Sequence, residues 1–196
     1  MSEAEDRAAI RLVIESWPFW RDDGRWDELR QAYAPDGVQY TTWSVQPAAQ
    51  FVDAVASRPH RPGTLSRHFV GVSIIAVKGE KAIAETRMNI NVRGFVHGVA
   101  VDVTNYGRTY DRFVRLAAGW KIKARIGIYE KDRMDPVEPG AKLALDPAVL
   151  ARFPEGYRYL AYLQSQGGAA ITPDLPTPGS AALEKLYADG KAWLAS

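Results

Sequence analysis

Apolar positions recur with two periods along this chain, and the change of period divides it. From Ile10, the residues Val13, Ile14 and Trp17 keep the i, i+3, i+4, i+7 spacing of a buried helical face. Ser2 and Glu5 fit a capping box that would open this helix. Pro18 is expected to kink or restart it, because proline removes an amide donor and crowds the preceding turn. Gly24 ends the element, and Trp26, Leu29, Ala32 and Tyr33 outline a second short helix. Pro35-Asp36-Gly37 reads as a turn, and Val38 to Trp43 as a strand. Pro47 then leads Phe51, Val52 and Val55 along a third helical face. Residues 58–63, RPHRPG, read as a loop.

Beyond this loop the period falls to two. Four β-like runs, 68–77, 82–95, 98–116 and 120–129, follow one another with short turns between them. Short turns between long strands imply antiparallel neighbours. Helices first and strands afterwards predict an α+β fold. In it, three N-terminal helices cover one face of a curved, mostly antiparallel sheet and enclose a cone-shaped cavity. Residues 1–130 form this domain. Residues 131–196 carry seven of the twelve prolines and read as a C-terminal tail of short helices, the clearest starting near Ser180. The tail's aromatics, Phe153, Tyr157, Tyr159, Tyr162 and Trp193, require burial on the domain or on a partner subunit. The tail is therefore expected to close the cavity mouth or to lie on the partner. A chain ended after Tyr129 is expected to stay folded. The third long run is apolar on both faces, with Val101 and Phe113 on one and Tyr106 and Tyr110 on the other. That pattern predicts a homodimer through the sheet's outer face.

Composition narrows the function. Apolar content of 46% in 196 residues supports a packed core rather than disorder. A net charge of +2, with scattered basic residues, gives no reason to expect nucleic acid or an anionic membrane as partner. Without cysteine, disulfides, thiol nucleophiles and thiolate metal sites are excluded. Histidines stand only at 60, 68 and 97, so no metal site is expected. The first residues lack the basic-then-apolar pattern of a secretory signal, and no apolar run is long enough to span a membrane. The expected location is cytoplasmic. Neither a P-loop, a dinucleotide fingerprint nor a G-x-S-x-G elbow occurs, so no cofactor is expected.

Acid–base chemistry by side chains remains. Between Trp17 and Trp43 aromatic residues surround the acid pair Asp22 and Asp23, and Trp20 and Trp43 are candidate walls of a small-molecule pocket. His68 begins a strand in LSRHFVG, and Arg125 lies in WKIKAR. Glu85, Arg87, Asn89, Asn91 and Arg93 alternate along one strand face, and Tyr40 and Tyr106 or Tyr110 are phenolic donors. Each also has a structural reading. The acids can be solvated at a helix corner, and His68 can be a satisfied structural residue. Arg125 can be half of a salt bridge. The polar stripe can be the wet face of a sheet.

The order of helix, W-D-x-L-R, A-P-D, strand, H-F-V-G, long strands and G-W-K resembles the nuclear transport factor 2-like superfamily, in its polyketide-cyclase-like (SnoaL-like) branch. Within that branch it is most similar to scytalone dehydratases. The resemblance spans about residues 7–130, and RHFVG at 67–71 is its most telling match. It implies a catalytic carboxylate at Asp22, four residues before Trp26, a general base at His68 and a substrate-orienting Tyr40. The dehydratases' second histidine has no counterpart; Asn91 falls at or near its place. A related dehydrochlorinase pattern, W-K-x-x-x-R, implies a catalytic role for Arg125. The resemblance also implies dimers. Together these point to a cofactor-independent lyase, a dehydratase acting on a small aromatic or cyclic hydroxylated compound. Catalysis is expected from Asp22, His68 and Arg125, and substrate contacts from Tyr40, Asn89, Asn91, Trp20, Trp43 and Tyr106. A carbon–carbon lyase, isomerase or cyclase using the same pair is the enzymatic alternative. A non-catalytic binding module is the alternative from another class.

Overall fold

The computed structural model describes residues 2–59 and 61–196; His60, to which no role is assigned, lies outside them. Helix α1 (Glu3–Asp22) begins with the capping box: the Ser2 amide donates to the Glu5 carboxylate (2.6 Å) and the Glu5 amide to Ser2 Oγ. Ile10, Ile14 and Trp17 are buried on one face. Each stabilises the fold by about 1.5–3 kcal/mol. The expected break at Pro18 does not occur: α1 runs through it, with Pro18 itself buried in the packed face. Burial outweighs the lost amide donor. α2 (Trp26–Gln31) and α3 (Ala48–Ala56) complete the N-terminal set.

Six strands form one curved, unclosed sheet: β1 (Tyr33–Thr41), β2 (Ser44–Pro47), β3 (Leu65–Lys78), β4 (Lys81–Val96), β5 (Val99–Leu116) and β6 (Gly119–Pro136). Their order is β2-β1-β6-β5-β4-β3, antiparallel except where β1 meets β6. The fold is α+β. Pro35-Asp36-Gly37 is a bulge inside β1 rather than a turn, as the register shift between Tyr33 and Val38 records. Gly37 permits it, since a Cβ there would lie 2.9 Å from the carbonyl oxygens of Ala34 and Ile122.

The chain beyond residue 130 is built into the same body. β6 continues to Pro136, and α4 (Pro147–Leu150), a 3₁₀ turn (Glu155–Tyr157) and α5 (Arg158–Gln166) follow. Tyr157, Leu160 and Tyr162 share a buried cluster with Val96, Val101, Val103 and Tyr129 of the sheet. Removing everything after Tyr129 would take away six of the ten buried residues of this cluster. The last helix, α6 (Ala181–Ala195), covers Tyr110 and Ile126 on the sheet's outer face. Gly190 makes room there, because a Cβ would sit 1.9 Å from Tyr110 Oη. Tyr110, whose burial suggested a partner subunit, is thus covered by its own chain.

Candidate active site

The last turn of α1 and the start of β3 meet at one end of the sheet. There Asp22, 4% exposed, accepts two hydrogen bonds from His68: Oδ2 from the backbone amide at 2.6 Å, and Oδ1 from ring Nδ1 at 2.8 Å. The first bond fixes the residue and the second fixes the ring. Arg21 Nη1 donates to the same Oδ1 at 3.1 Å. Burial works against ionising Asp22, but the bonds from His68 and the charge of Arg21 prevail and hold its pKa below the ordinary carboxylate value. Asp23, one residue on, is exposed and 3.9 Å from Arg67. Successive helical residues point about 100° apart, so only one of the two acids reaches His68.

With Nδ1 as donor to Asp22, Nε2 is left as the acceptor, and it has no hydrogen-bond partner among the described residues. The ring meets Trp17 edge-on at 5.4 Å. Burial pushes the pKa of His68 below its ordinary value; Arg21 and Arg125 add to this, and Asp22 opposes it. At neutral pH the imidazole is neutral and able to accept a proton.

His68 faces a cavity of ≈160 Å³. Its floor is the face of β4 carrying Met88, Ile90 and Val92, its walls are Trp17, Trp43 and Phe51, and Leu160 and Gln164 of α5 close one end. Thr42 Oγ1 donates to Gln164 Oε1 at 2.6 Å, fastening that closure. Arg125, 2% exposed, also lines the cavity. Its Nε and Nη2 each donate to Asp111 at 2.8 Å, and its guanidinium lies 4.5 Å over Trp17. Asp111 outweighs burial and keeps Arg125 protonated. The remaining nitrogen, Nη1, is buried without a hydrogen-bond partner among the described residues. Behind this layer Trp17 donates to Tyr33 Oη at 2.9 Å and Tyr33 donates to Gln39, so the indole plane is fixed. Among the described residues no group of three or more histidine or acidic side chains is placed to hold a metal.

Residues 2–126 match the SnoaL-like domain family. The chain belongs to that family. Two curated relatives carry the likeness through the tail. Pea pathogenicity protein 2 of Fusarium vanettenii is 32% identical over 203 residues, covering 98% of this chain and 87% of the relative. A PEP2-like protein of the same fungus is 30% identical, covering 96% and 85%. Among solved structures, a hexachlorocyclohexane dehydrochlorinase (LinA) of type 2 superposes with a TM-score of 0.58 at 14% identity, over 74% of this chain and 96% of the other. A candidate scytalone dehydratase of Novosphingobium aromaticivorans gives 0.53 at 14%, over 70% and 91%. An ntf2-like protein with a cystatin-like fold from Novosphingobium aromaticivorans superposes at 0.50 and 24% identity, over 63% and 81%, so the fold is nuclear transport factor 2-like.

The sheet's register sorts the residues proposed from sequence. His68 pairs with Ile90, and Asp111 with Arg125, all on the cavity face. Trp43 lines the cavity. Asn89 and Asn91 do not, because they alternate with Met88, Ile90 and Val92 and so lie on the opposite face. Asn91 there accepts from Thr104, and Asn89 stands between Phe69 and Tyr106 in the register. Tyr106 shares that outer face, under the ammonium of Lys131. Trp20 packs on the N-terminal core, not on the cavity. Tyr40 borders the cavity, but its side chain packs with the α6 cluster. Four residues were missed: Arg21, Arg58, Gln39 and Asp111. Asp111 was legible in principle, as an acid sharing the parity of Val101, Val103 and Phe113. Arg58 gave no signal within its proline-bearing loop.

No helix is long and apolar enough to cross a membrane among the described residues.

Proposed function

We propose that this SnoaL-like protein is a cofactor-independent lyase that removes water from a small cyclic hydroxylated compound. The observation that carries the reading is the neutral imidazole of His68, backed by ionised Asp22, lining the cavity with Nε2 unpartnered among the described residues. In this reading Nε2 takes a proton from the carbon next to a carbonyl. The C–H electron pair becomes a C=C bond as the β-hydroxyl departs, and the imidazolium returns the proton to it, releasing water. Asp22 stabilises the transient imidazolium. Arg125 Nη1, already desolvated and lacking a partner, is suited to the oxyanion that develops on the carbonyl. The kinship with a dehydrochlorinase fold and a candidate dehydratase supports elimination as the reaction type.

The test is a screen of cyclic β-hydroxy ketones and aromatic diols, followed by ultraviolet absorbance with no added cofactor. On any substrate found, His68→Ala should lose about 10²–10⁴-fold in kcat. Asp22→Asn should lose no more than that, since it leaves a base with the wrong tautomer preference. Near-normal turnover by a folded His68→Ala protein would remove this reading.

A further inference from the structure

The cavity's charge is unbalanced. Arg21, Arg58 and Arg125 line it, and no carboxylate does. Two acids stand behind the wall, and each is committed: Asp22 to His68 and Arg21, Asp111 to Arg125. His68 is neutral. One positive charge is left over, and it resides on Arg58 at the rim. Among the described residues Arg58 has no carboxylate partner. Its guanidinium lies 4.1 Å over the ring of Trp43, which itself stacks on Phe51 at 5.9 Å. Arg58 is exposed at the rim; partial desolvation there and the nearby charge of Arg21 lower its basicity. At the inner end the buried Arg125 keeps Nη1 unpaired.

A guanidinium without a carboxylate partner at the mouth of an apolar space is placed to receive an anion from solution. A flat guanidinium held by an aromatic ring presents its nitrogens edge-on, the geometry that a carboxylate accepts in a bidentate pair. The volume limits the rest of the ligand. A cavity of roughly 150 Å³ holds a benzene ring, and this one is ≈160 Å³.

We propose that the cavity takes an organic anion, a single six-membered ring bearing a carboxylate, with the carboxylate received by Arg58 and Arg21 beside Trp43. The ring then extends toward His68 and Arg125. This names a substrate class for the site of the lyase reading and rests on it for the chemistry, though not for the binding.

Ligand binding tests the two separately. Trp17 and Trp43 line the cavity, so their fluorescence reports occupancy. Benzoate, 4-hydroxybenzoate and salicylate would be titrated against their neutral amides, at low and high salt. The acids should bind wild-type protein about 10-fold or more tighter than the amides, or about 1.4 kcal/mol. Arg58→Met should erase that preference, Arg58→Lys should keep part of it, and His68→Ala should leave it in place. Equal binding of acid and amide would overturn the proposal. So would a preference that survives Arg58→Met, or no binding of any acid below about 10 mM. Acid-selective binding with no elimination in any screen would defeat the lyase reading alone. Turnover of neutral substrates that is indifferent to Arg58→Met would defeat the anion proposal alone.

Discussion

Arg125 and Asp111 offer the sharpest energetic test of the site. They are 2% and 0% exposed and joined by two 2.8 Å bonds. Asp111 has a further contact from Thr109 Oγ1 at 3.3 Å, and the Arg125 guanidinium lies over Trp17. Removing either partner strands a buried charge, which costs about 3–5 kcal/mol. A domain has about 5–15 kcal/mol in all, so each single change is severe. Removing both charges with apolar residues of similar size leaves nothing stranded. Arg125→Met and Asp111→Leu should each lose about 3–5 kcal/mol, and the double variant should lose less than either. Urea denaturation followed by circular dichroism measures all four proteins, with an unchanged slope as the check that one transition is compared.

Additive losses in the double variant would show that the pair is not what holds Arg125 in place.

Further outcomes can be checked. His68 has a lowered pKa, so the acid limb of kcat/KM should fall below pH 6.5, the ordinary imidazole value, with activity rising with pH through it; a limb above that value would contradict the assignment. Burial pushes Asp132 up to about 6, even though it accepts the Leu160 amide at 2.8 Å. Ionising it thus costs stability above pH 6 and nothing below about pH 4. Asp132→Asn should raise the melting temperature at pH 8, by about 1 kcal/mol of stability, and leave it unchanged at pH 4. Leu160, buried on the sheet and on the cavity, should cost about 2–5 kcal/mol as Leu160→Ala in thermal or urea unfolding. A chain ended after Pro136 should be recovered without near-ultraviolet ellipticity, because Tyr157 and Tyr162 leave the shared core with it.

Much of the fold was legible because its signals are local. Strand runs with short turns, a capping box and the Ser180 start of α6 each depend on neighbours in sequence. The errors arise where tertiary packing decides. Pro18 breaks a free helix, but here its buried face is held by the core. Asp36-Gly37 turns a free chain, but pairing with β6 on both sides makes it a bulge. The acid and the histidine of the site could be singled out because each lies next to a legible boundary, the end of α1 and the start of β3.

Asn89 and Asn91 lie off the cavity for a different reason. Along β4 the sequence offers two interleaved sets, polar at 85, 87, 89, 91 and 93 and apolar at 88, 90 and 92. Alternation assigns each set to a face but does not say which face encloses the ligand. Polar residues attract a functional reading, so Asn89 and Asn91 were placed in the pocket. Energetics favours the reverse. A cavity under helices excludes water, and every polar group in it must find a partner or go unsatisfied. Such a cavity is mostly apolar, with few directed polar groups. Met88, Ile90 and Val92 form its floor, while the polar set is spent on the outer face, where Arg87 pairs with Glu130 and Arg93 with Asp102. The polar residues that do enter the cavity are each held by a structure invisible in local pattern: His68 by Asp22, Arg125 by Asp111, Gln39 by Tyr33. Arg58 has no such hold within the protein, which is why its partner is sought in the ligand.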